Sequence, residues 1–221
     1  WLALALGLSL AHGLASGQEI SLTPKTIIRF ASEENGRREL GRKDAFIEAL
    51  SPFDRAARKQ SDQPVGEDDL LRFISAQALS WKADEQRKWS AIIGSASHKF
   101  ASLRLELPAA IILVKTTGRE EGNAAYCRST NVIVLPENKI QETDGDADDL
   151  FIHELFHILS RNNPKLRDNL YGIVGFKPGP AVELPAPLRP RKITNPDAPR
   201  IEHYIEVELA GKPQPVVPIL F

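Results

Sequence analysis

The chain has 221 residues, 42% of them hydrophobic and 26% charged, which is enough to bury one sizeable core. Its formal net charge is −1 with both signs interspersed, and no stripe of Lys and Arg is interleaved with aromatics, which argues against nucleic acid as a partner. Cys127 is the single cysteine, so an internal disulfide and a multi-thiolate metal cluster are both excluded.

In chain order, Trp1 to Leu14 is dominated by Leu, Ala and Gly and carries no Lys, Arg, Asp or Glu; small residues follow at Ala15, Ser16 and Gly17 before the polar pair Gln18-Glu19. This pattern predicts the remnant of an export signal over residues 1–17, with a mature protein starting near Gln18 in the periplasm or outside the cell. The apolar run is shorter than the roughly 20 residues of a membrane span. Residues 18–221 are expected to form a single domain, with an N-terminal lobe over 18–164 and a small irregular C-terminal lobe over 165–221. Residues 25–31 read as a strand and Lys43 to Leu50 as a short helix, and Ser51-Pro52 caps and opens another helix through Lys59. Helical spacing of Leu70, Leu71, Ile74 and Ala78 predicts a helix from Glu67 to Trp81, and Trp89, Ile92, Ile93 and Phe100 predict one from Ala83 to Leu103. The apolar run Ile111 to Val114 predicts a buried strand within 108–117. Cys127, beside Tyr126 on an expected strand, reads as a packed core residue. Asn131 to Pro136 predicts a further strand, and its terminal proline is most easily housed at a sheet edge.

Residues 153–157 read His-Glu-Leu-Phe-His. Histidines four apart on a helix share one face, with Cβ atoms about 5–6 Å apart, so both imidazoles can converge on one ion, best suited by zinc. Glu154 stands on the shoulder of that face, where its carboxylate can serve a water rather than the metal, as a general base. The flanks predict the required helix. Asp144, Asp146, Asp148 and Asp149 crowd its first turn, Arg161 suits its last, and Asn162-Asn163-Pro164 stops it, giving a span from about Asp146 to Arg161. The acidic cluster does not match an EF-hand loop, because Gly145 is misplaced and Leu155 occupies the bidentate Glu position.

The order long helix, strand, second strand and His-Glu-x-x-His helix, over Glu67 to Pro164, resembles the N-terminal lobe of the zincin superfamily of zinc metallopeptidases, most closely its gluzincin branch. The resemblance implies an α+β fold with N-terminal helices and a small mixed sheet whose edge strand lies over a central active-site helix. It also implies a peptide or protein substrate, aligned here by strand addition along Asn131 to Pro136. His153 to Gly175 and Thr194 to Pro199 are also similar to a group of uncharacterised exported bacterial proteins, which carries no activity of its own.

A catalytic zinc ion commonly takes three protein ligands. The metzincin extension of the motif is absent, since Ser160 and Asn163 stand at its last two required positions, and the proline-rich segment after Gly175 cannot build the long helix that carries a gluzincin glutamate. Glu183, a carboxylate inside an apolar, proline-stiffened loop, is the expected third ligand. The alternatives are Asp197, which the Thr-Asn-Pro-Asp composition also explains as a turn residue, and Glu202 and His203, which open an expected strand. Tyr204 is the expected donor to the developing oxyanion, with Tyr171 and His203 as alternatives. Zinc hydrolysis of peptide bonds is thus the expected activity; a zinc-binding module without turnover, or a helical domain carrying a coincidental motif, are the competing readings.

Overall fold

The computed structural model describes residues 19–221, so the export signal expected over 1–17 lies outside the described residues. The chain opens with an antiparallel hairpin, β1 (Glu19–Thr23) and β2 (Thr26–Phe30). Three helices follow, α1 (Glu33–Leu40), α2 (Ala45–Ala49) and α3 (Pro52–Lys59), each started by a side chain that accepts a first-turn amide: Ser32, Asp44 and Ser51. The next elements are α4 (Glu67–Ser75), β3 (Ala78–Leu79), α5 (Ala83–Phe100) and β4 (Ala110–Thr116). The hairpin β5 (Tyr126–Arg128) and β6 (Val132–Pro136) then leads through the short α6 (Glu137–Ile140) into α7 (Asp144–Asn162). The C-terminal part comprises α8 (Pro164–Ile173), β7 (Phe176–Pro178), a 3-10 turn at Arg189–Arg191, β8 (His203–Leu209) and β9 (Lys212–Val216).

The main sheet runs β1-β2-β4-β6-β5, with β2, β4 and β6 parallel, β1 and β5 antiparallel to their neighbours, and β3 paired to the end of β4. Because successive strand residues face opposite sides, β4 sends Ile111 and Leu113 to one core and Val114 to the other, and β6 divides Ile133 and Leu135 from Val132 and Val134 in the same way. On the first side lie Trp89, Ile92 and Ile93 of α5 and Phe151, Leu155 and Ile158 of α7; on the second lie Leu40 of α1, Phe46 and Ile47 of α2, and Leu70 and Ile74 of α4. A chain of aromatic contacts, Phe30 to Trp81 at 4.8 Å, Trp81 to Trp89 at 6.2 Å and Trp89 to Phe151 at 6.3 Å, links the sheet to α5 and α7. The protein is therefore a mixed α+β structure, with a small second antiparallel sheet, β7-β8-β9.

Four differences from the sequence expectations have identifiable causes. The helix from Glu67 ends at Ser75 because Ala78 and Leu79 pair with Thr116 and Lys115, so tertiary strand pairing overrides a helical spacing that extends to Trp81. The strand ending in Pro136 is not a sheet edge: β6 lies between β4 and β5 and all five of its residues are buried. Its proline is tolerated because it is the strand's last residue, and the substrate-aligning role expected for Asn131 to Pro136 has no free edge there. Pro164 stops α7 but also opens α8, where a proline at the first helical position forfeits no hydrogen bond. Finally, α1 escapes a periodicity reading because Asn35 and Gly36 interrupt it; Gly36 lets the helix approach the sheet, as a Cβ there would stand 3.1 Å from Val114 Cγ1 and 3.2 Å from Ala78 Cβ.

Candidate metal centre

Helix α7 places the motif. Thr143 caps it by accepting the Asp146 amide, and Asp144 and Asp146 lie in the first turn where they complement the dipole. The helix buries the stripe Ala147, Phe151, Glu154, Leu155 and Ile158 against the sheet and α5, leaving His153 exposed and His157 half-buried at the border. α7 therefore has one buried face and an accessible one.

The two imidazoles converge. His153 Nε2 and His157 Nε2 stand 3.0 Å apart, with ring centroids at 4.7 Å and planes at 80°. Two nitrogens bound tetrahedrally to one zinc ion at 2.0–2.1 Å would stand about 3.3 Å apart, so the pair fits a shared cation after a shift of a few tenths of an ångström. Burial, opposed by the carboxylate of Asp197 and aided by His153 and Arg161, lowers the pKa of His157. A neutral ring with a free lone pair is the form a metal requires.

Glu154 lies one residue round the helix, only 2% exposed, and points into the protein rather than along the histidine face. The Cys127 thiol, from β5, donates to Glu154 Oε2 at 3.3 Å and lies 3.3 Å from the Glu154 carbonyl oxygen. Burial foremost, and then the charge of Asp197, push the Glu154 carboxyl up to about 8. The same burial, with Glu154 and Asp197 nearby, pushes the Cys127 thiol well above its ordinary range.

Asp197 is the residue whose place the sequence does not reveal. Its Oδ1 accepts the Cys127 backbone amide at 2.8 Å, on the outer edge of β5. Cys127, Glu154 and Asp197 form the one group of three among the described residues whose ligand atoms lie within 4.8 Å of one another and can hold a metal ion. One turn beyond His157, Arg161 donates to the carbonyls of Ser129, Pro196 and Asp197 and so binds the 196–197 loop to the helix. A cavity of about 430 Å³ opens beside it, lined by Ser160, Arg161, Tyr171, Asp197 and His203 among others. Neither His153 nor His157 lines it.

The remaining expected site residues fall elsewhere. Glu183 is exposed in the loop after β7 and, among the described residues, joins no group of ligand atoms with the histidines. Its apolar neighbours do not enclose it: Leu184 is buried, whereas Val182 is 41% exposed. Tyr204 sits on β8 opposite Lys177, against Gly179, in the C-terminal sheet. His203 binds Asp168 Oδ1 at 2.9 Å under the Tyr171 ring, and Glu202 lies 3.8 Å from Arg167 and 3.9 Å from Arg200. No local sequence signal marks Asp197: the burial of nearby Thr194, which holds its loop, is decided by the fold. Among the described residues, no helix is long and apolar enough to cross a membrane. Comparison with protein-family models, curated proteins and solved structures found no match.

Proposed function

We propose that the chain is a zinc-dependent hydrolase that cleaves peptide bonds, with His153 and His157 as metal ligands and Glu154 as general base. The observation that carries this reading is the 3.0 Å approach of the two Nε2 atoms on the accessible side of α7, with a buried carboxylate between them in sequence. A bound zinc ion lowers the pKa of its water toward neutrality and polarises the scissile carbonyl. Glu154 Oε1, the oxygen that Cys127 leaves free, accepts the proton of the attacking water and returns it to the leaving amine nitrogen. Burial that pushes the carboxyl up to about 8 opposes this base role at neutral pH, so the reading requires the positive charge of a bound zinc ion to draw the carboxyl back to its ionised form before it accepts the proton. The cavity beside Arg161, which neither histidine lines, gives an extended peptide or protein room one turn further along α7, and the apolar segment at residues 1–14 favours a substrate outside the cytoplasm.

One observation favours a second reading, a zinc-binding module without turnover: the Glu154 carboxylate is held by Cys127 and turned inward. Two variants separate them. Glu154→Gln is expected to retain about one equivalent of zinc and lose hydrolysis of a peptide library by about 100-fold or more, whereas His153→Ala loses both. Turnover that survives in Glu154→Gln removes the assigned base, and wild-type protein that takes up no zinc removes both readings.

A further inference from the structure

Two pairs of groups that favour a cation lie on α7 and the loop tied to it: the imidazoles of His153 and His157, 3.0 Å apart, and the carboxylates of Glu154 and Asp197. The carboxylate oxygens of Glu154 and Asp197 lie within 4.8 Å of each other, and like charges at that distance repel unless a proton or a cation lies between them. Arg161 is the cation at hand, but its recorded hydrogen bonds go to three backbone carbonyls, which orient the loop instead of neutralising an acid.

The loop that carries Asp197 is fastened at every step. Thr194 is fully buried: its amide donates to Asp54 Oδ2 at 2.7 Å, its hydroxyl to Ala49 O at 3.0 Å, and its carbonyl accepts Arg58 Nη2 at 2.7 Å. One residue on, Asn195 Oδ1 accepts the Asp197 amide at 2.8 Å, and Arg161 Nη2 reaches the Pro196 and Asp197 carbonyls at 3.1 and 3.3 Å. A surface turn needs none of this. Such bracing places the Asp197 side chain against α7, where its charge is the foremost electrostatic influence on the His157 ring. Only Oδ1 is engaged, by the Cys127 amide; Oδ2 accepts no hydrogen bond among the described residues.

We infer that Asp197 is the third protein ligand of the metal held by His153 and His157, delivered by the braced 194–198 loop. The assignment rests on the zinc reading above. It replaces Glu183 and requires the Asp197 side chain to turn from Cys127 toward the histidines, because no third ligand atom lies within 4.8 Å of both rings as they stand. Cys127 then remains a hydrogen-bonding support for Glu154 and contributes no thiolate.

The test is metal affinity, read without activity. Full-length protein loaded with zinc is titrated with a competing chelator, comparing wild type with Asp197→Asn and Glu183→Gln. Asp197→Asn is near-isosteric and keeps the acceptor for the Cys127 amide. Loss of a ligand is expected to weaken zinc binding by more than about 100-fold, beyond the 10–100-fold of an outer-shell change, while Glu183→Gln leaves it unchanged. A smaller loss in folded Asp197→Asn overturns the assignment. X-ray absorption at the zinc edge of the wild-type protein adds a readout that needs no variant: two imidazoles with oxygen donors are expected, and a sulfur scatterer would overturn the assignment by placing the ion between Cys127, Glu154 and Asp197. Failure of the wild type to bind zinc would overturn the hydrolase reading itself, a result separable from either of these.

Discussion

At the scale of single residues, this protein holds two carboxyls above their ordinary range by burying them, with different partners. Glu154 has the Cys127 thiol as donor on one oxygen and is turned into the protein. Glu120, 1% exposed, accepts the Tyr126 hydroxyl at 3.4 Å through Oε1, and its Oε2 has no partner among the described residues. Burial is the largest influence on Glu120 and raises it above 4.5. The folded state then resists ionisation while the unfolded chain ionises freely. Stability is therefore unaffected below the unfolded value, declines as pH rises above 4.5, and levels off once pH passes the raised folded value. Glu120→Gln cannot ionise, so it is expected to flatten that decline. Urea unfolding midpoints measured at stepped pH would show it, and an unchanged slope would assign the loss to another group.

At the scale of elements, α7 is a helix with two duties on adjacent stripes. Phe151, Leu155 and Ile158 are buried against the sheet and α5, and His153, His157 and Arg161 follow one another by turns along the accessible side. The packed stripe holds the other in register. Phe151→Ala, which removes a fully buried ring 6.3 Å from Trp89, is expected to cost about 3–5 kcal/mol in chemical unfolding and to change the Trp89 fluorescence environment. Thr143→Ala removes the cap at the far end of the helix from the site and is expected to cost about 1 kcal/mol with zinc affinity unchanged. A matching loss of metal in the cap variant would show that the helix frays as far as His153. The helix itself was legible in the sequence within two residues at its start, because capping and dipole chemistry are local. The end of α4 and the interior position of β6 were not, because both depend on pairing with β4, distant in the chain.

For the whole molecule, the division of labour between the two parts is uneven. Apart from Leu184, the buried hydrophobic residues lie between Leu22 and Ile158, and both core clusters are drawn from that stretch. The segment beyond Gly175 contributes a three-stranded sheet of mostly exposed or half-buried residues and is tied back mainly through polar contacts at Lys192, Thr194, Pro196 and Asp197. Removing residues 176–221 is therefore expected to leave a cooperatively folding chain with most of its helix signal, lowered in melting temperature because the buried Asp54 loses the Thr194 amide while keeping Arg58, and without high-affinity zinc. Circular dichroism and chelator competition on that truncation check both halves of the expectation; a chain that fails to fold would show that the C-terminal part is integral to the core.

What the sequence by itself determined is whatever rests on near neighbours. The spacing of His153 and His157 is a property of any α-helix, the caps at Ser51 and Thr143 act within one turn, and the alternation along β4 and β6 follows from strand geometry. The third ligand proposed for the site does not belong to that class. Asp197 lies 40 residues beyond His157 in the numbering, in a turn whose Thr-Asn-Pro-Asp composition accounts for itself locally. Glu183 drew the sequence reading because apolar neighbours suggested burial, yet neighbours in the chain do not establish burial; only packing against other elements does. It took the long-range tethers, Asp54 and Arg58 to Thr194 and Arg161 to the 196–197 carbonyls, to bring the Asp197 carboxylate beside Cys127 and Glu154.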